Sequence, residues 1–512
     1  MLIEATPRVT LRNWFRNTFD DAVAAARTCY SPRVIGADEI TESQRETIGA
    51  LTFDAGHHTV FQHATFEFGL EDVSRQFVWS FLHSFPFYNS EQQSQRYVKL
   101  KEPRVVALPL EGRAREIYRA AVVGAWDAYA ELTEILRADT WRILADIWRW
   151  TPAKEALTKR LKKEADKKAI ETARYVIPLG CTTAMVYTVS GIVLHRLRRM
   201  MHTGDCPAET RAVIGAMVAA VEAVEPDFFG RIGQAAEAGE IPVEADLARI
   251  WKRGPDESWI KEFDDSLEGR RARLIDWSAR GEEVTADAVR HVLCVSREAM
   301  DDDAAIAAAL DPAQNRYRLE TMNVGFHSPL VRALHHATYT FRKRLSHTAD
   351  SQDQRHRMVP ASRPLLTLGD TRAPDVVVPD LVAANPRAKQ VFDDAVGALW
   401  EAKRAMLAAG APIEHALYVL PNAKAVRMEE TGSLLYLLHK WQMRTCFNAQ
   451  REIFDHSMEE IAQVAQVHPR LARWVGPPCF VRKDLVRPYC TEGAHYCGVT
   501  VWKTFPEVAR GL

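Results

Sequence analysis

The chain has 512 residues, with 66 Lys and Arg against 67 Asp and Glu, and a formal net charge of -1 at pH 7. A balanced charge excludes a global attraction to nucleic acid or to an anionic membrane, so any anion site must be local. At ~100–200 residues per domain the length predicts two domains, and 8 cysteines are too few for a disulfide-stapled secreted fold.

The amino-terminal stretch MLIEATPRVTLRNW lacks the basic start and continuous apolar core of a signal peptide. No run of ~18 apolar residues, the length needed to cross a bilayer, occurs in the sequence. We therefore expect a soluble, cytoplasmic protein with neither a membrane nor a nucleic-acid partner.

The predicted elements are mostly helices. In chain order, ATFEFGL (64–70) alternates like a strand, 115–148 has apolar residues at helical spacing, and ATYTF (337–341) and 388–410 repeat these two patterns. The charged stretch 154–174 interleaves acids and bases at helical spacing, which favours a solvated helix over a polyanion-binding arm. The sequence predicts a helix-rich α+β fold.

Several segments recur in the same order, which indicates a tandem duplication. The last pairs share one offset, since Pro178 corresponds to Pro421 and Glu209 to Glu452. The charged stretch 232–265, interrupted by Gly and Pro, is the predicted connector between a first half (1–231) and a second half (266–512). The matched segments are VTLRNWF (9–15) with ARLIDWS (272–278), QHATFEF (62–68) with HHATYTF (335–341), and YVIP (175–178) with YVLP (418–421).

Two polar stretches carry the candidate chemistry. In SQDQRHRMVPAS (351–362), Gln352 and Arg355 would share a helix face, with His356 and Arg357 on neighbouring faces. A carboxamide can bind a uracil-like edge, and guanidinium groups can bind phosphates. The alternative is a surface basic cluster paired to acids.

The other stretch is NSEQQSQRYVKL (89–100), which is dense in hydrogen-bonding groups and includes Arg96. A loop of this kind can hold the phosphate and ribose of a nucleotide. The alternative is a capped turn at a helix start.

Together the two halves resemble the flavin-dependent thymidylate synthases, in which a Ser-Arg pair, a QxxRHR helix and a polar SxRY loop follow a His-rich helix and an aromatic strand. The first half matches through AAARTCYS (24–31), HTVFQHATFEF (58–68), Ser74 and Arg75, EQQSQRYV (91–98), ARYVIP (173–178) and AETR (208–211). The second half matches through HHATYTF (335–341), Ser346, QDQRHR (352–357), YVLP (418–421), QMR (442–444) and NAQREI (448–453).

Each half departs from this pattern in a different place. The first half has HSFPF (83–87) in place of RHR, with Ser80 near the family's Gln, and the second half follows RHR with MVPASRPLL instead of the SxRY loop. Leu417 and Phe454 of the second half stand where the first half has Arg174 and Arg211.

The resemblance implies a site between subunits, so that each half would supply what the other lacks. Glu91, Ser94, Arg96 and Arg211 of the first half would meet Gln352, Arg355, His356 and Arg357 of the second, and the chain would form a homodimer. It also places the arginine matched by Arg174 in the same subunit as QxxRHR. With Leu417 there, either another basic group substitutes or substrate binding has changed.

The resemblance also assigns roles to individual residues. Arg355 and Arg96 would polarise the nucleotide, and Ser94 would hold it without acting as a nucleophile. No cysteine lies in QDQRHR (352–357) or EQQSQRYV (91–98), which argues against a thiolate that attacks the pyrimidine. His58 and His63 are explained equally well as buried, hydrogen-bonded histidines. The predicted substrate contacts are Gln352, Glu91, Gln92, Gln93, Ser94, Gln95, Arg96, Arg174 and Arg211, and the predicted flavin contacts are Arg355, His356, Arg357, Gln442, Arg444, Asn448, His58 and His63.

The implied reaction is the reductive methylation of dUMP to dTMP with FAD, methylene-tetrahydrofolate and NADPH. One alternative is a diverged flavoenzyme that acts on another pyrimidine nucleotide or one-carbon unit. The other is a non-catalytic protein that binds flavin or nucleotide.

The carboxy-terminal region holds a cluster of possible metal ligands, Cys479, Cys490, His495 and Cys497. Three thiols and an imidazole are chemically able to bind zinc tetrahedrally, although the spacing has no CxxC pair. Reduced cysteines that only pack are the alternative.

Overall fold

The computed structural model describes residues 1–84, 87–152, 155–232, 243–251, 257–320, 324–508 and 510–512. In the first half the strands are β1 Ile3–Ala5, β2 Arg8–Trp14, β3 Thr65–Ser74, β4 Asn89–Gln92, β5 Arg104–Val106 and β6 Thr182–Ser190. Its helices are α1 Thr18–Thr28, α2 Glu42–Asp54, α3 Arg75–Ser84, α4 Gly112–Ile147, α5 Glu155–Ala173, α6 Gly191–Met200, α7 Ala208–Glu222 and α8 Phe228–Ile232.

Two helices, α9 Glu244–Trp251 and α10 Ser258–Ser266, precede the second sheet. The second half has strands β7 Ala272–Trp277, β8 Thr338–Ser346, β9 Ala361–Ser362 and β10 Ala425–Ser433. Its helices are α11 Gly281–Leu293, α12 Asp302–Leu310, α13 Pro329–Arg332, α14 His347–Asp353, α15 Asp380–Ala383, α16 Pro386–Ala408, α17 Ile413–Ala416, α18 Leu434–Arg444, α19 Arg451–Val467, α20 Pro469–Ala472 and α21 Pro478–Val481.

The two halves contain antiparallel sheets of the same topology. Their strand orders are β2-β3-β6-β4 and β7-β8-β10-β9, so each element of one sheet has a counterpart in the other. The register agrees as well, because Leu70 pairs with Met185 as Lys343 pairs with Met428. The expectation of two helix-rich α+β repeats, each with a small antiparallel sheet, is confirmed.

The long helices form a core shared by both halves. Tyr118 of α4 and Trp400 of α16 are fully buried in one apolar cluster, as the predicted helices over 115–148 and 388–410 require. The α16 helix begins with Pro386 after Asn385, whose side chain accepts hydrogen bonds from the backbone amides of Arg387 and Ala388. This core fixes the position of one half against the other.

The α5 helix is only partly the solvated helix that its charges predicted. Leu161, Ala165 and Ala169 are buried along one face, and Glu171 near its carboxy-terminal end is buried too. The period of the small and apolar residues therefore decides which face of α5 is buried.

A pseudo-twofold axis relates the halves where segments 175–180 and 418–423 pair through their backbones. The bonds come in equivalent couples: Leu179 N to Leu420 O at 2.8 Å with Asn422 N to Ile177 O at 2.9 Å, and Gly180 N to Tyr418 O at 2.9 Å with Ala423 N to Tyr175 O at 2.9 Å. Such reciprocal pairing is the signature of an isologous interface.

Side chains repeat the same symmetry. The Tyr175 hydroxyl donates to Glu452 at 2.5 Å, and the Tyr418 hydroxyl donates to Glu209 at 2.5 Å. Glu452 and Glu209 also accept from the Ser346 and Ser74 hydroxyls, which begin α14 and α3. In each half, a glutamate therefore holds the serine at the start of a helix, and a tyrosine from the other half binds the same glutamate.

The predicted connector, 232–265, is described only in part, because 233–242 and 252–256 lie outside the described residues. Its last helix, α10, packs on the second sheet, where Arg427 donates to both oxygens of Asp264 at 2.8 and 2.7 Å. A boundary near residue 265 stays a prediction. No helix in the described part of the chain is both long enough and apolar enough to span a membrane.

Candidate active site

The RHR residues lie in a turn just beyond α14. That helix ends at Asp353, so Arg355 does not share a helix face with Gln352 as the spacing predicted. Arg444 holds the turn from behind, with Nε donating to His356 Nε2 at 2.9 Å and Nη2 donating to Gln352 O at 2.9 Å. Burial and Arg444 hold the pKa of His356 well below its usual value, so His356 is neutral.

A cavity of about 920 Å³ opens in front of this turn and is lined by both halves. The Arg357 guanidinium stands 4.9 Å from the ring centroid of Tyr88, which belongs to the first half. Arginines for phosphates, aromatic rings for a flat ring system and a volume of several hundred Å³ suit a large dinucleotide-like ligand. The lining includes Gln62, Thr65, Tyr88, Asn89, Ser190, Val193, Arg196, Phe326, Arg355, His356, Arg357, Tyr436 and His439.

The counterpart of the RHR helix in the first half, α3, packs directly on α14. Trp79 Nε1 donates to Asp350 Oδ2 at 2.7 Å, and the Trp79 and His347 rings lie 5.0 Å apart. Within HSFPF, residues 85 and 86 lie outside the described residues. Where the second half presents a cationic turn, the first half presents a helix that supports it.

The polar loop after β4 reaches the second half through Arg96. Arg96 Nη2 donates to Asn448 O, and its Nε donates to Glu171 of α5. Ser94 Oγ accepts from Arg96 N at 3.2 Å, which shapes the loop, and buried Gln95 accepts from Asn422 Nδ2 at 3.3 Å. The structure therefore brings Arg96 to the half that carries RHR.

The other predicted loop residues differ in exposure. Gln92 accepts from Arg75 Nη1 at 3.0 Å, which turns its side chain inward. Glu91 and Gln93, the neighbours on either side, are exposed; Glu91 follows the alternation of β4, and Gln93 lies just beyond its end.

Arg174 lies on the second-half side of the interface, beside Gln352. Arg174 Nη2 donates to Gln450 Oε1 at 2.6 Å, and Gln352 Nε2 donates to the same oxygen. The resemblance places the arginine matched by Arg174 in the same subunit as QxxRHR, whereas here the pairing of 175–180 with 418–423 brings Arg174 of the first half across the interface to Gln352. With Arg174 beside Gln352, Leu417 leaves no gap in this site.

Gln450 is a residue that the sequence analysis missed. It lies inside the matched segment NAQREI, between Asn448 and Glu452, but nothing in its spacing marks it as the junction of the halves. Its amide also donates to the Tyr175 hydroxyl. One carboxamide thus connects the tyrosine, the arginine and the glutamine of the candidate site.

Arg211 does not join this group. Its Nε donates to Met201 O and its Nη2 to Cys206 O, both at 3.1 Å and both within the first half. The start of its helix packs against Glu414, which accepts from Ala208 N at 3.0 Å. The pseudo-twofold axis relates the candidate site to a second position in the same chain, and Arg211 lies beside that position. There, RHR, the polar loop and an arginine equivalent to Arg174 are all missing.

Positive charge is concentrated around Glu171. Burial raises the pKa of Glu171, but Arg96, Lys168 and Arg174 outweigh it and hold this pKa well below its usual range. Burial, with Arg510 and Arg96 nearby, lowers the pKa of Lys168 to about 8. One carboxylate among several buried cations leaves an excess of positive charge, which is the environment that an anionic ligand requires.

The remaining predicted flavin contacts lie outside the lining of the larger cavity. Gln442 lines a smaller cavity of about 230 Å³ next to His439. Asn448 Nδ2 donates to Glu492 Oε2 at 3.0 Å and to His495 O at 2.8 Å, so this amide binds the carboxy-terminal region. His58 and His63 begin and follow the 3-10 helix His58–Gln62, whose last residue lines the larger cavity.

The carboxy-terminal cysteines were predicted as possible metal ligands. Among the described residues, no group of three or more His, Cys, Asp or Glu side chains is placed to hold a metal ion. Cys479 and Cys497 pack instead against Phe447 and Phe454 in a small apolar cluster. The zinc prediction for Cys479, Cys490, His495 and Cys497 stays a prediction, and the contacts of Cys479 and Cys497 agree with the alternative of packing thiols.

Comparison with known proteins identifies the repeated unit. A family model described as thymidylate synthase complementing protein matches residues 10–227 and, a second time, residues 273–470. The chain belongs to this family. Both predictions, a resemblance to the flavin-dependent thymidylate synthases and a tandem duplication, are confirmed.

Individual thymidylate synthases agree with the duplication. The flavin-dependent thymidylate synthase of Clostridium tetani is 28% identical over 244 residues, which cover 46% of this chain and 90% of that protein. The enzyme of the same name from Geobacter sulfurreducens is 35% identical over 168 residues, 32% of this chain and 70% of its own length. Nearly a whole relative fits within half of this chain, so the chain holds two units of this family.

Proposed function

We propose that the chain is a FAD-dependent thymidylate synthase that methylates dUMP to dTMP, with methylene-tetrahydrofolate and NADPH as co-substrates, at one site built by both halves. The observation that carries the proposal is the junction at Gln450, where Arg174 of the first half and Gln352 of the second half bind one oxygen. The printed names of the relatives give the reaction class. A cytoplasmic homodimer that binds small molecules, rather than nucleic acid or membrane, is part of the same proposal.

The larger cavity fits a flavin. Arg355 and Arg357 would hold the pyrophosphate, and Tyr88 and Tyr436 offer ring faces. The flavin would supply the electron transfer that reductive methylation needs. Positioning and charge stabilisation then remain for the side chains of the chain.

The polar groups beside the cavity fit a pyrimidine nucleotide. Gln352 Oε1 is buried and has no hydrogen-bond partner among the described residues, so it can accept the N–H of a uracil ring. Arg96, Lys168 and Arg174 supply charge for the phosphate. Arg355, exposed beyond the helix end, would stabilise negative charge as it develops on the ring.

A second candidate is a related flavoenzyme with a different pyrimidine nucleotide or one-carbon unit. Phe454 favours it, because an aromatic side chain stands here at a position where the family has an arginine. Product analysis separates the two candidates, since the first requires dTMP.

Flavin content is the direct test. We expect purified protein to carry about one FAD per chain by absorbance, because only the second half has the RHR turn, and to form dTMP from dUMP with both co-substrates. Protein without FAD would contradict the cavity assignment, and about two FAD per chain would contradict a single complete site. FAD together with bound but unconverted dUMP would favour the second candidate.

Lys168 predicts a pH dependence of nucleotide binding. Since its pKa is lowered to about 8, Lys168 is charged below that pH and neutral above it, so affinity for dUMP should fall as the pH rises from 7 to 9. Lys168→Met should bind dUMP about 5–10-fold more weakly at pH 7 and lose this decline. Titration calorimetry at several pH values measures both effects.

The control is Lys162→Met, which removes an exposed charge from the same helix. It should keep the wild-type pH profile. A Lys168→Met protein with an unchanged profile would show that another group causes the decline.

A further inference from the structure

The second half lacks the guanidinium that the first half has in Arg211. Arg211 Nη2 donates to Cys206 O at 3.1 Å, and Cys206 lies three positions before Glu209. The counterpart carbonyl belongs to Ala449, three positions before Glu452, and the counterpart of Arg211 is Phe454. A phenyl ring cannot donate to that carbonyl, so this position needs a donor from elsewhere.

Arg510, near the carboxy-terminal end of the chain, reaches the same carbonyl. Its Nη2 donates to Ala449 O at 2.5 Å and to Phe447 O at 3.1 Å. Its guanidinium stands 4.7 Å from the ring centroid of Phe454. Arg510 therefore makes the hydrogen bond that the Arg211 counterpart would make, with Phe454 as the surface on which its guanidinium rests.

The guanidinium of Arg510 is fixed in place, but one of its nitrogen atoms has no hydrogen-bond acceptor among the described residues. The residue is only 7% exposed, and Arg451 Nη1 donates to its backbone carbonyl, which fixes the segment to the start of α19. Nη1 of Arg510 is buried and has no hydrogen-bond partner among the described residues. A buried guanidinium nitrogen with open donors indicates that an acceptor binds there.

Arg510 also belongs to the electrostatic environment of the candidate site. Arg96 donates to Asn448 O, the carbonyl between the two that Arg510 binds. Burial lowers the pKa of Arg510 to about 10, with Glu171 acting in the opposite direction, so the group stays charged at neutral pH. The same turn therefore receives one arginine from the first half and one from the carboxy-terminal segment.

We propose that Arg510 replaces the arginine lost at Phe454 and binds an anionic group of the nucleotide substrate. The proposal rests on the proposed function, because it takes the nucleotide site at Gln450 as given. The substrate site is then assembled from three parts of the chain: the polar loop and Arg174 of the first half, Gln352 and Arg355 of the second, and the carboxy-terminal segment.

The test compares Arg510→Ala with Arg510→Ala/Phe454→Arg in the flavin-loaded full chain, with dUMP as the probe. Arg510→Ala should raise the Kd for dUMP about 10–100-fold, the usual effect of losing a charged hydrogen-bond donor. Phe454→Arg in the same chain should recover most of that loss, since it restores the arrangement of the first half. Lys503→Ala, an exposed position in the same segment, is the control and should bind as wild type.

The rescue separates ligand binding from folding. A variant that merely loosens the carboxy-terminal segment would lower the melting temperature and would not regain affinity on adding Arg at 454, and that result would overturn the proposal. Unchanged dUMP affinity in Arg510→Ala would overturn it as well, while the proposed function would stand. Wild-type protein that binds no dUMP would overturn the proposed function, and the assignment of Arg510 with it.

Discussion

Lys343→Met is expected to lower the free energy of unfolding by about 3–5 kcal/mol, because it removes one member of a buried charge cluster and leaves carboxylates unpaired. Lys343 Nζ lies 2.5 Å from Asp353, 2.8 Å from Glu430 and 3.1 Å from Glu460. Lys440 contacts the same three carboxylates. Chemical denaturation monitored by fluorescence measures the loss.

All five groups of this cluster are at most 3% exposed at the side chain, so water cannot replace a missing partner. Burial and Asp353 raise the pKa of Glu430 to about 7, whereas Lys343 and Lys440 pull Asp353 well below its usual value despite burial. Lys261→Met, at an exposed pair with Asp265, is the control and should change stability far less. An equally small effect of Lys343→Met would mean that the cluster reorganises around the loss.

The first half provides an apolar version of the same cluster. Leu70 pairs with Met185 as Lys343 pairs with Met428, so Leu70 is the counterpart of Lys343. Tyr187 pairs with Phe68 as Glu430 pairs with Phe341, so Tyr187 is the counterpart of Glu430. The remaining counterparts, counted from the equivalent residues Ser74, Ser190 and Glu209, are Phe81 for Asp353, Leu197 for Lys440 and Met217 for Glu460. All five are buried in the first half as well.

Transplanting all five apolar residues together should therefore restore most of the stability lost in Lys343→Met, since a well-packed apolar set can replace a buried ionic one. Asp353 ends the helix that leads into RHR, so the transplant also tests whether the charges position that turn. Stable protein with reduced FAD content would assign the cluster a positioning role. Stable protein with full FAD content would show that the charge cluster contributes to stability but does not position the RHR turn.

The repeat and the main elements could be predicted from the sequence because their information is local. Phe66, Phe68 and Leu70 alternate along β3 and are buried, and α4 and α16 follow the helical period. Alternation even places Lys343 on the buried side, between Phe341 and Leu345. What it could not indicate is that Lys343 finds carboxylates from three other elements.

The candidate site depends on contacts between segments that are distant in the sequence, so only some of its residues could be predicted. Arg96 and the RHR turn were recognisable by motif, but the sequence did not indicate that Arg174 would lie beside Gln352, or that Arg211 would make its hydrogen bonds within the first half. Their true positions follow from the backbone pairing of 175–180 with 418–423. Arg510 is outside every matched motif, and only the fold brings it to Phe454.

Arg96→Ala and Arg355→Ala are each expected to lower kcat/KM for dUMP by about 10²–10⁴-fold, since each removes a cation from one shared site. The double variant should be little worse than either single variant, because groups that act as a unit are not additive. Arg473→Ala, an exposed arginine that rests on Trp474, is the control. Steady-state kinetics on protein of verified FAD content measures all four; additive losses would mean two independent sites.

Mixing the two single variants tests whether the site is built within one chain. Arg96 of the first half contacts Asn448 of the second half in the same chain, so an Arg96→Ala chain and an Arg355→Ala chain each contain a defective site. Co-expressed as a mixed dimer, they should have no more activity than the separate variants. Recovery toward half of the wild-type rate would instead mean that the functional site joins two chains, with the first half of one chain facing the second half of its partner.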